Sequence, residues 1–436
     1  MQKQPGSESN LRLLYSLILY LLTPLVLLRL AWRGLRAPQY WQRWPERFGF
    51  FSAPQFSETI WIHAVSVGEF QAALPLIKAL QARYPDVRMV VTTTTPTGSA
   101  RVRAALGDTV FHVYAPYDLP GAVRRFLGRV RPCVAIIMET ELWPNLFHGC
   151  HARGIPLVLA NARLSERSAA GYRRIAGLAR QTLGNITAIA AQTQDDARRL
   201  ISLGADAARV QVTGNIKFDI NIPANLHEQA AALRQAWGAK RPVWIAASTH
   251  EGEDEQVLEA FAAVRQAVPD ALLVLVPRHP ERFPRVVALC RKQGYEVALR
   301  SEQRLRVPYR ESATAAVFVG DSMGELMLFY AASDVAFTGG SLVATGGHNM
   351  LEPAALGIPV ITGPHTFNFA EISRMLLMAG AARQVDDATQ LAEAVIAYLK
   401  DNDLRRAAGE KGRRLVEQNR GALMKLVDIV QAMKSG

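Results

Sequence analysis

Two doubly wound, Rossmann-like α/β domains preceded by an apolar membrane-anchor helix are the fold class this sequence predicts. Three observations carry the expectation: strand–loop–helix alternation through two successive rounds, an aperiodic stretch between the rounds, and an uncharged apolar run near the start. The chain has 436 residues, more than one ordinary core organises and enough for two domains of roughly 150–200 residues. Hydrophobic residues make up 49% and charged residues 20%, a globular balance rather than a disordered one.

The apolar run covers 13–28, broken only by Ser16, Thr23 and Pro24 and bracketed by Arg12 and Arg29. That is short of the roughly 20 residues that cross a bilayer, and Leu30, Ala31 and Trp32 nearly complete the length if Arg29 snorkels. Lys3 and Arg12 precede the run, whereas Arg29, Arg33, Arg36, Arg43 and Arg47 follow it. The positive-inside rule then puts the body of the chain on the cytoplasmic side. No small-residue cleavage site follows, which disfavours a cleaved signal peptide. A signal anchor or a helix lying in the interface fits best, with a buried core helix as the alternative. Residues 33–47, interleaved with Trp32, Tyr40, Trp41 and Trp44, read as a basic and aromatic surface for phospholipid headgroups, or as a linker packed on the first domain. Residues 1–48 are taken together as anchor and juxtamembrane segment.

The first domain is expected over 49–222. Apolar, β-rich runs at 60–65, 88–93, 133–138, 157–160 and 186–191 read as strands, and 70–83 and 118–130 as helices. The stretch 217–225 lacks periodicity, contains Pro223 and reads as the hinge. The second domain, 223–436, alternates helices at 226–237, 254–268, 284–293, 325–332 and 349–356 with strands at 243–247, 271–276, 316–319, 335–337 and 359–361. Helices from Ala388 onward close the chain. Two such domains face a central cleft at the carboxyl ends of their strands, where ligands bind in folds of this type.

The net charge of +12 favours an anionic partner, either nucleic acid, an acidic bilayer or a phosphorylated substrate. No basic helix or aromatic RNA-binding signature supports nucleic acid. Cys133, Cys150 and Cys290 form no CxxC pair, so neither a disulfide framework nor a zinc knuckle is expected. His148 and His151 share a helix face but supply only two nitrogens, too few for a metal site, and no metal is expected.

Five loops follow strands. In Ser66-Val67-Gly68-Glu69, Gly68 permits a tight turn. Glu69 at the helix start can take a proton from a hydroxyl or simply stabilise the macrodipole. Glu139 and Glu141, with Trp143, suit an acceptor site or a helix cap. Pro277 and Pro280 stiffen the loop carrying Arg278, whose forked guanidinium suits a base carbonyl or a phosphate. Met323-Gly324-Glu325 lies in a glycine-flanked turn that allows close backbone approach, or is a plain cap. In the fifth loop, Gly339-Gly340-Ser341 and Gly346-Gly347-His348 bare backbone amides before a helix N-terminus that attracts phosphate. Asn349 and Glu352, three apart, share a helix face and can hold a ribose. No Walker A motif or GxGxxG is present, which disfavours a P-loop NTPase or a dinucleotide enzyme.

Together the segments His63–Glu69, 138–145, 276–283 and Gly339-Gly340-Ser341 with 346–353 resemble the Kdo (3-deoxy-D-manno-octulosonic acid) transferases of lipopolysaccharide synthesis, over nearly the whole chain. The resemblance implies a GT-B fold, CMP-Kdo as donor substrate without a further cofactor, lipid IVA as acceptor and the inner face of the bacterial inner membrane as location. It implies Glu69 as general base and an inverting displacement. It also implies CMP contacts from Pro277, Arg278, Met323, Gly324, Glu325, Asn349, Met350, Leu351 and Glu352, with Ser66, Gly68, Glu139, Glu141, Gly339, Gly340 and Ser341 as acceptor or supporting residues. The alternatives are another GT-B enzyme using a UDP-sugar on a lipid, a nucleotide-sugar epimerase, and a nonenzymatic sugar-nucleotide binder.

Overall fold

The computed structural model describes residues 6–53, 56, 58–303 and 314–435; Lys3, which enters the charge asymmetry around the apolar run, lies outside them. The chain divides into two compact units, one of residues 1–219 with 420–436 and one of 220–419.

The first unit is built on a parallel sheet of seven described strands: β1 (Thr59–His63), β2 (Arg88–Thr93), β3 (Val110–Tyr114), β4 (Pro132–Met138), β5 (Leu157–Ala162), β6 (Ala188–Ala191) and β7 (Val210–Val212). Their order is β3-β2-β1-β4-β5-β6-β7. At the centre, Ile62 pairs with Val91 of β2 and Ile136 of β4. Ile60 to Ile62 and Val134 to Met138 are fully buried, because helices cover both faces of a parallel sheet. One face packs Ile62, Val91 and Ile136 with Leu76 and Leu80, and the other packs Trp61, Ala135 and Ile137 with Phe126 and Phe147.

The second unit repeats the plan with β8 (Val243–Thr249), β9 (Leu272–Pro277), β10 (Val297–Leu299), β11 (Val317–Val319), β12 (Val335–Thr338), β13 (Val360–Thr362) and β14 (Ala382–Gln384). Their order is β10-β11-β9-β8-β12-β13-β14. Strand order reverses between β1 and β4 in the first sheet and between β8 and β12 in the second. Open α/β sheets place ligand crevices outside the carboxyl ends of strands at such switch points.

The domain assignment expected for the tail needs correction. The last helix, Ala422–Ser435, belongs to the first unit, where Leu426, Val427 and Val430 join the core beneath β1, β2 and β4. Asp219 holds its start, accepting from the backbone N–H groups of Gly421 (2.6 Å) and Leu423 (2.7 Å). A carboxylate at a helix N-terminus satisfies orphan donors and complements the macrodipole. The chain leaves the first unit between Asp219 and Ile220 and re-enters it at Arg420, so one acid ties both crossing points together.

The apolar run lies in one helix, Gly6–Arg36, longer than the sequence run suggests. It docks along the first unit. Tyr15 donates to Asp118 (3.1 Å), Ser16 donates to Asn145 (2.9 Å), and Arg12 donates to the same Asn145 oxygen (3.2 Å). Asn145 donates in turn to the Asp118 carbonyl (2.7 Å), and the Asp118 carboxylate caps the helix Pro144–His151 through the N–H groups of Asn145 and Leu146. The opposite face, with Leu14, Leu17, Leu21, Leu25 and Leu28, is exposed. Of the basic segment, Arg29, Arg33 and Arg36 are exposed. Arg47 is instead buried over the Tyr114 ring, and Arg43 is pinned to Glu46 and the His112 carbonyl. Within the stretch 33–47, then, Arg33, Arg36, Trp41 and Trp44 are exposed, whereas Arg43 and Arg47 pack on the domain.

Candidate active site

In the first unit the switch point is occupied by three carboxylates. The strand β1 ends at His63, and Ser66 caps the helix Val67–Arg83, its hydroxyl accepting from the Glu69 N–H (3.2 Å). This is a capping arrangement, Ser at the cap and Glu three residues on. Glu69 reaches back, accepting from the Val65 N–H (2.8 Å) and the Ser66 hydroxyl (2.8 Å). Its side chain therefore serves the helix start, yet it is only 9% exposed. Burial raises its pKa to about 7, opposed by the Val65 and Ser66 hydrogen bonds and reinforced by the charges of Glu139 and Glu141. A carboxyl poised near neutrality at the start of the helix that follows a strand is suited to general-base work.

Gly68 does not make the tight turn expected of it. It lies within the first helical turn, and a Cβ there would meet only the Ser66 hydroxyl, at 3.8 Å.

Glu139 follows β4 with φ +56°, a left-handed conformation that costs a non-glycine residue energy and is retained where function or packing demands it. Asn161 in β5 and Ser248 in β8 are also left-handed, so three such residues sit at strand ends facing the ligand side of their sheets. The Lys217 ammonium lies 3.8 Å from Glu139. Sequence reading placed Lys217 in the hinge and missed its proximity to the acidic group. Glu141 accepts from the Trp143 indole (2.9 Å), and the Trp143 ring stands edge-on to His63, at 5.5 Å.

In the second unit the loops after β8, β9 and β12 converge. The Arg278 N–H donates to the Thr249 carbonyl (3.0 Å), and Arg282 donates to the same oxygen (2.6 Å) while pairing with Asp254. His250 and His348 stack at 5.0 Å with Nε2 atoms 2.8 Å apart, and His279 stands edge-on to His250 at 5.4 Å. Burial, with Arg278 and the other imidazoles beside it, pushes His348 down to about 3, so it is neutral at physiological pH. Asn349 donates to Glu352 (3.1 Å), which bears out their shared face, and burial raises the Glu352 pKa against the field of Arg278.

The glycine-rich loop is organised differently from expectation. The amides of Gly340 (2.6 Å), Ser341 (2.9 Å) and Leu342 (2.9 Å) all donate to Glu253, as does that of His250 (2.9 Å). These amides are therefore not bared for a phosphate. A protein carboxylate, fully buried, already occupies the position. Gly339 admits no side chain, since a Cβ would lie 2.7 Å from the Ser248 carbonyl. Met350 and Leu351 are core residues, so only their main chain is available to a ligand. The helix they open is short, Leu351–Ala355. In the loop Met323-Gly324-Glu325, Met323 is 59% exposed and Gly324 has φ +83°. Glu325 is engaged by buried Arg300 (2.6 Å) and by Ser322.

Comparisons with known proteins agree with this architecture. Residues 42–220 match the family model described as 3-Deoxy-D-manno-octulosonic-acid transferase (kdotransferase), and residues 245–415 match that of glycosyl transferases group 1. The 3-deoxy-D-manno-octulosonic acid transferase of Haemophilus influenzae is 46% identical over 424 residues, covering 96% of this chain and 98% of that protein. The Bordetella pertussis protein of the same name is 37% identical over 432 residues, with 96% and 98% covered. The Anabaena protein HepE, solved in complex with UDP, superposes with a TM-score of 0.51 at 13% identity over 87% of this chain and 100% of its own, a likeness of fold alone. Two Rossmann-like units of seven described parallel strands each place the chain in the GT-B class. Its agreement with the two full-length relatives, end to end, makes it a member of the 3-deoxy-D-manno-octulosonic acid transferase family, a glycosyltransferase that moves Kdo.

Proposed function

We propose that this Kdo transferase takes Kdo from CMP-Kdo and places it on lipid IVA with inversion, Glu69 acting as the general base. The observation that carries the proposal is the Glu69 carboxyl. It is buried at the switch point, held by the Val65 N–H and the Ser66 hydroxyl, and raised to about 7 with Glu139 and Glu141 nearby. The acceptor O–H gives its proton to Glu69 as its oxygen attacks the anomeric carbon of Kdo. The bond from that carbon to the phosphate oxygen breaks, and CMP leaves with the electron pair. Lys217 balances the surrounding acids beside Glu139. Arg278 supplies positive charge for the phosphate, with Asn349 and Glu352 turned to the ribose hydroxyls. CMP-Kdo is consumed as a substrate, and no further cofactor enters the reaction. The deciding assay gives purified full-length protein CMP-Kdo and lipid IVA in detergent and reads CMP release with lipid mass. Growth of the lipid by one or more Kdo supports the assignment. Transfer only from a UDP-sugar overturns it.

The same reading places the protein on an anionic membrane surface, the bacterial inner membrane at its cytoplasmic side. The helix is long and apolar enough to cross a bilayer. Its inward contacts run from Arg12 to Val26, however, a distance of about 21 Å at 1.5 Å per residue. A crossing helix would carry that docked protein surface into hydrocarbon, whereas a helix lying in the interface presents only its leucine face to lipid. Exposed Arg29, Arg33 and Arg36 then meet anionic headgroups. Asn145→Leu removes the post that holds Arg12 and Ser16. We expect transfer to a bilayer-embedded acceptor to fall about tenfold and the helix to become protease-sensitive, at a cost of about 1–3 kcal/mol in stability. Unchanged proteolysis would show that the helix is held by other means.

A further inference from the structure

A cavity of about 230 Å³ lies between the N-terminal helix and the body of the first unit, lined chiefly by Leu19, Thr23, Val26, Tyr117, Leu119 and Trp143. Three observations identify its occupant. First, its walls are predominantly apolar, the polar Tyr15 and Asp118 among them being hydrogen-bonded to each other, and the outer face of the same helix is a run of exposed leucines. Second, exposed Arg29 and Arg33 lie three and seven residues beyond Val26, on the helix face that carries this cavity residue. Burial pushes the Tyr117 phenol up, and Arg47, Arg33 and Arg29 pull it the other way. An apolar hollow with cations at its edge suits an anionic amphiphile. Third, Trp143 is a wall of the cavity and also donates to Glu141, one of the acids acting on Glu69. A ligand chain resting against Trp143 therefore lies against a side chain that is itself hydrogen-bonded to the acidic group around Glu69.

We infer that this cavity receives one acyl chain of the lipid acceptor, lifting it out of the bilayer under the N-terminal helix so that its sugar headgroup reaches Glu69. The inference rests on the lipid acceptor proposed above. It gives the helix a second task besides holding the protein to the membrane, because Leu19, Thr23 and Val26 then form one wall of the substrate site. It also explains why Arg12, Tyr15 and Ser16 fix the helix to Asn145, beside the cavity, and to Asp118, in its wall.

The test uses full-length protein and a lipid IVA analogue with a photoreactive diazirine on one acyl chain, with labelled peptides mapped after irradiation. The expected label falls on the 117–119 and 142–143 loops and on the inward residues Leu19 and Val26. Val26→Trp fills the cavity; it should cut that label at least about tenfold and raise KM for the acylated acceptor about tenfold while leaving kcat within about twofold. Leu25→Trp, on the outward face, should leave the cavity label in place. Label confined to Leu14, Leu21, Leu25 and Leu28 overturns the inference, as does cavity label that Val26→Trp does not reduce. Cavity labelling without growth of the lipid by a Kdo supports the cavity and overturns the acceptor assignment, so the two failures are distinct.

Discussion

Glu69→Gln is expected to lower the rate of Kdo transfer by about 10²- to 10⁴-fold, the range that general-base catalysis contributes, while leaving the protein at least as stable as the parent. The stability half of this expectation follows from the sign of the pKa shift. Glu69 is raised from its ordinary value of 4.5 to about 7 in the folded chain, with burial the largest cause. The unfolded chain therefore ionises first, and folding is penalised by that difference. The penalty is absent below about pH 4.5, grows between 4.5 and 7, and is complete above 7. Glutamine keeps the shape and an oxygen for the Val65 amide, and removes the penalty. At pH 8 the variant should gain up to about 3 kcal/mol, less whatever the rearranged Ser66 hydrogen bond costs. In the parent, kcat/KM should fall tenfold per unit below pH 7 and level off above it. Ser66→Ala removes a hydrogen bond that holds the pKa down, so the inflection should move to higher pH. A variant that is inert because it is unfolded would fail the calorimetric half. A variant that keeps its transfer rate within tenfold would remove Glu69 as base.

The strands that sequence periodicity revealed and those it missed divide on a physical line. The ten interior strands carry near-continuous apolar runs because helices cover both faces of a parallel sheet. The four missed strands, β3, β7, β10 and β14, are the edges of their sheets. Three of them are only three residues long, and none is wholly buried. Edge strands have one neighbour and lie partly in solvent, so their composition need not be apolar. The candidate site divides similarly. Glu69, Glu139 and Glu141 were visible because each follows a strand closely. Lys217 was not, because its relation to Glu139 is made by the return of the chain after β7. Arg300 pairs with Glu325 across an intervening strand, β11, with no local pattern to show it. Asn145 entered the sequence reading only as the end of the segment 138–145. Its side chain turns to the N-terminal helix, a contact 129 residues apart that joins that helix to the start of the helix Pro144–His151.

Glu253 is the most consequential of these omissions, and its replacement should have the largest effect on stability. It stands in the acidic run Glu251-Gly252-Glu253-Asp254-Glu255, where composition suggests only a favourable charge at a helix start. Glu251, two residues earlier, is indeed exposed, with an ion pair to Arg285. Glu253 instead turns inward and collects four backbone amides, three of them from the turn after β12. That turn cannot satisfy its own donors, because Gly339 lies against β8 and Gly340 is left-handed. The carboxylate is thus the acceptor that lets an unusual turn be buried. Glu253→Gln replaces one acceptor oxygen with an NH₂ group, which sets donors against donors. Breaking a buried charge arrangement of this kind costs about 3–5 kcal/mol. The second unit has about 200 residues, so its melting temperature should drop roughly 6–20 °C. Because His250 follows the same carboxylate and stacks on His348, CMP affinity measured by calorimetry below the transition should fall at least tenfold. Glu253→Asp, which keeps the charge but shortens the reach, should lie between the two. If Glu253→Gln melts within about 2 °C of the parent, the loop is held by its packing, and the amides expected from sequence to receive phosphate would again be candidates for it.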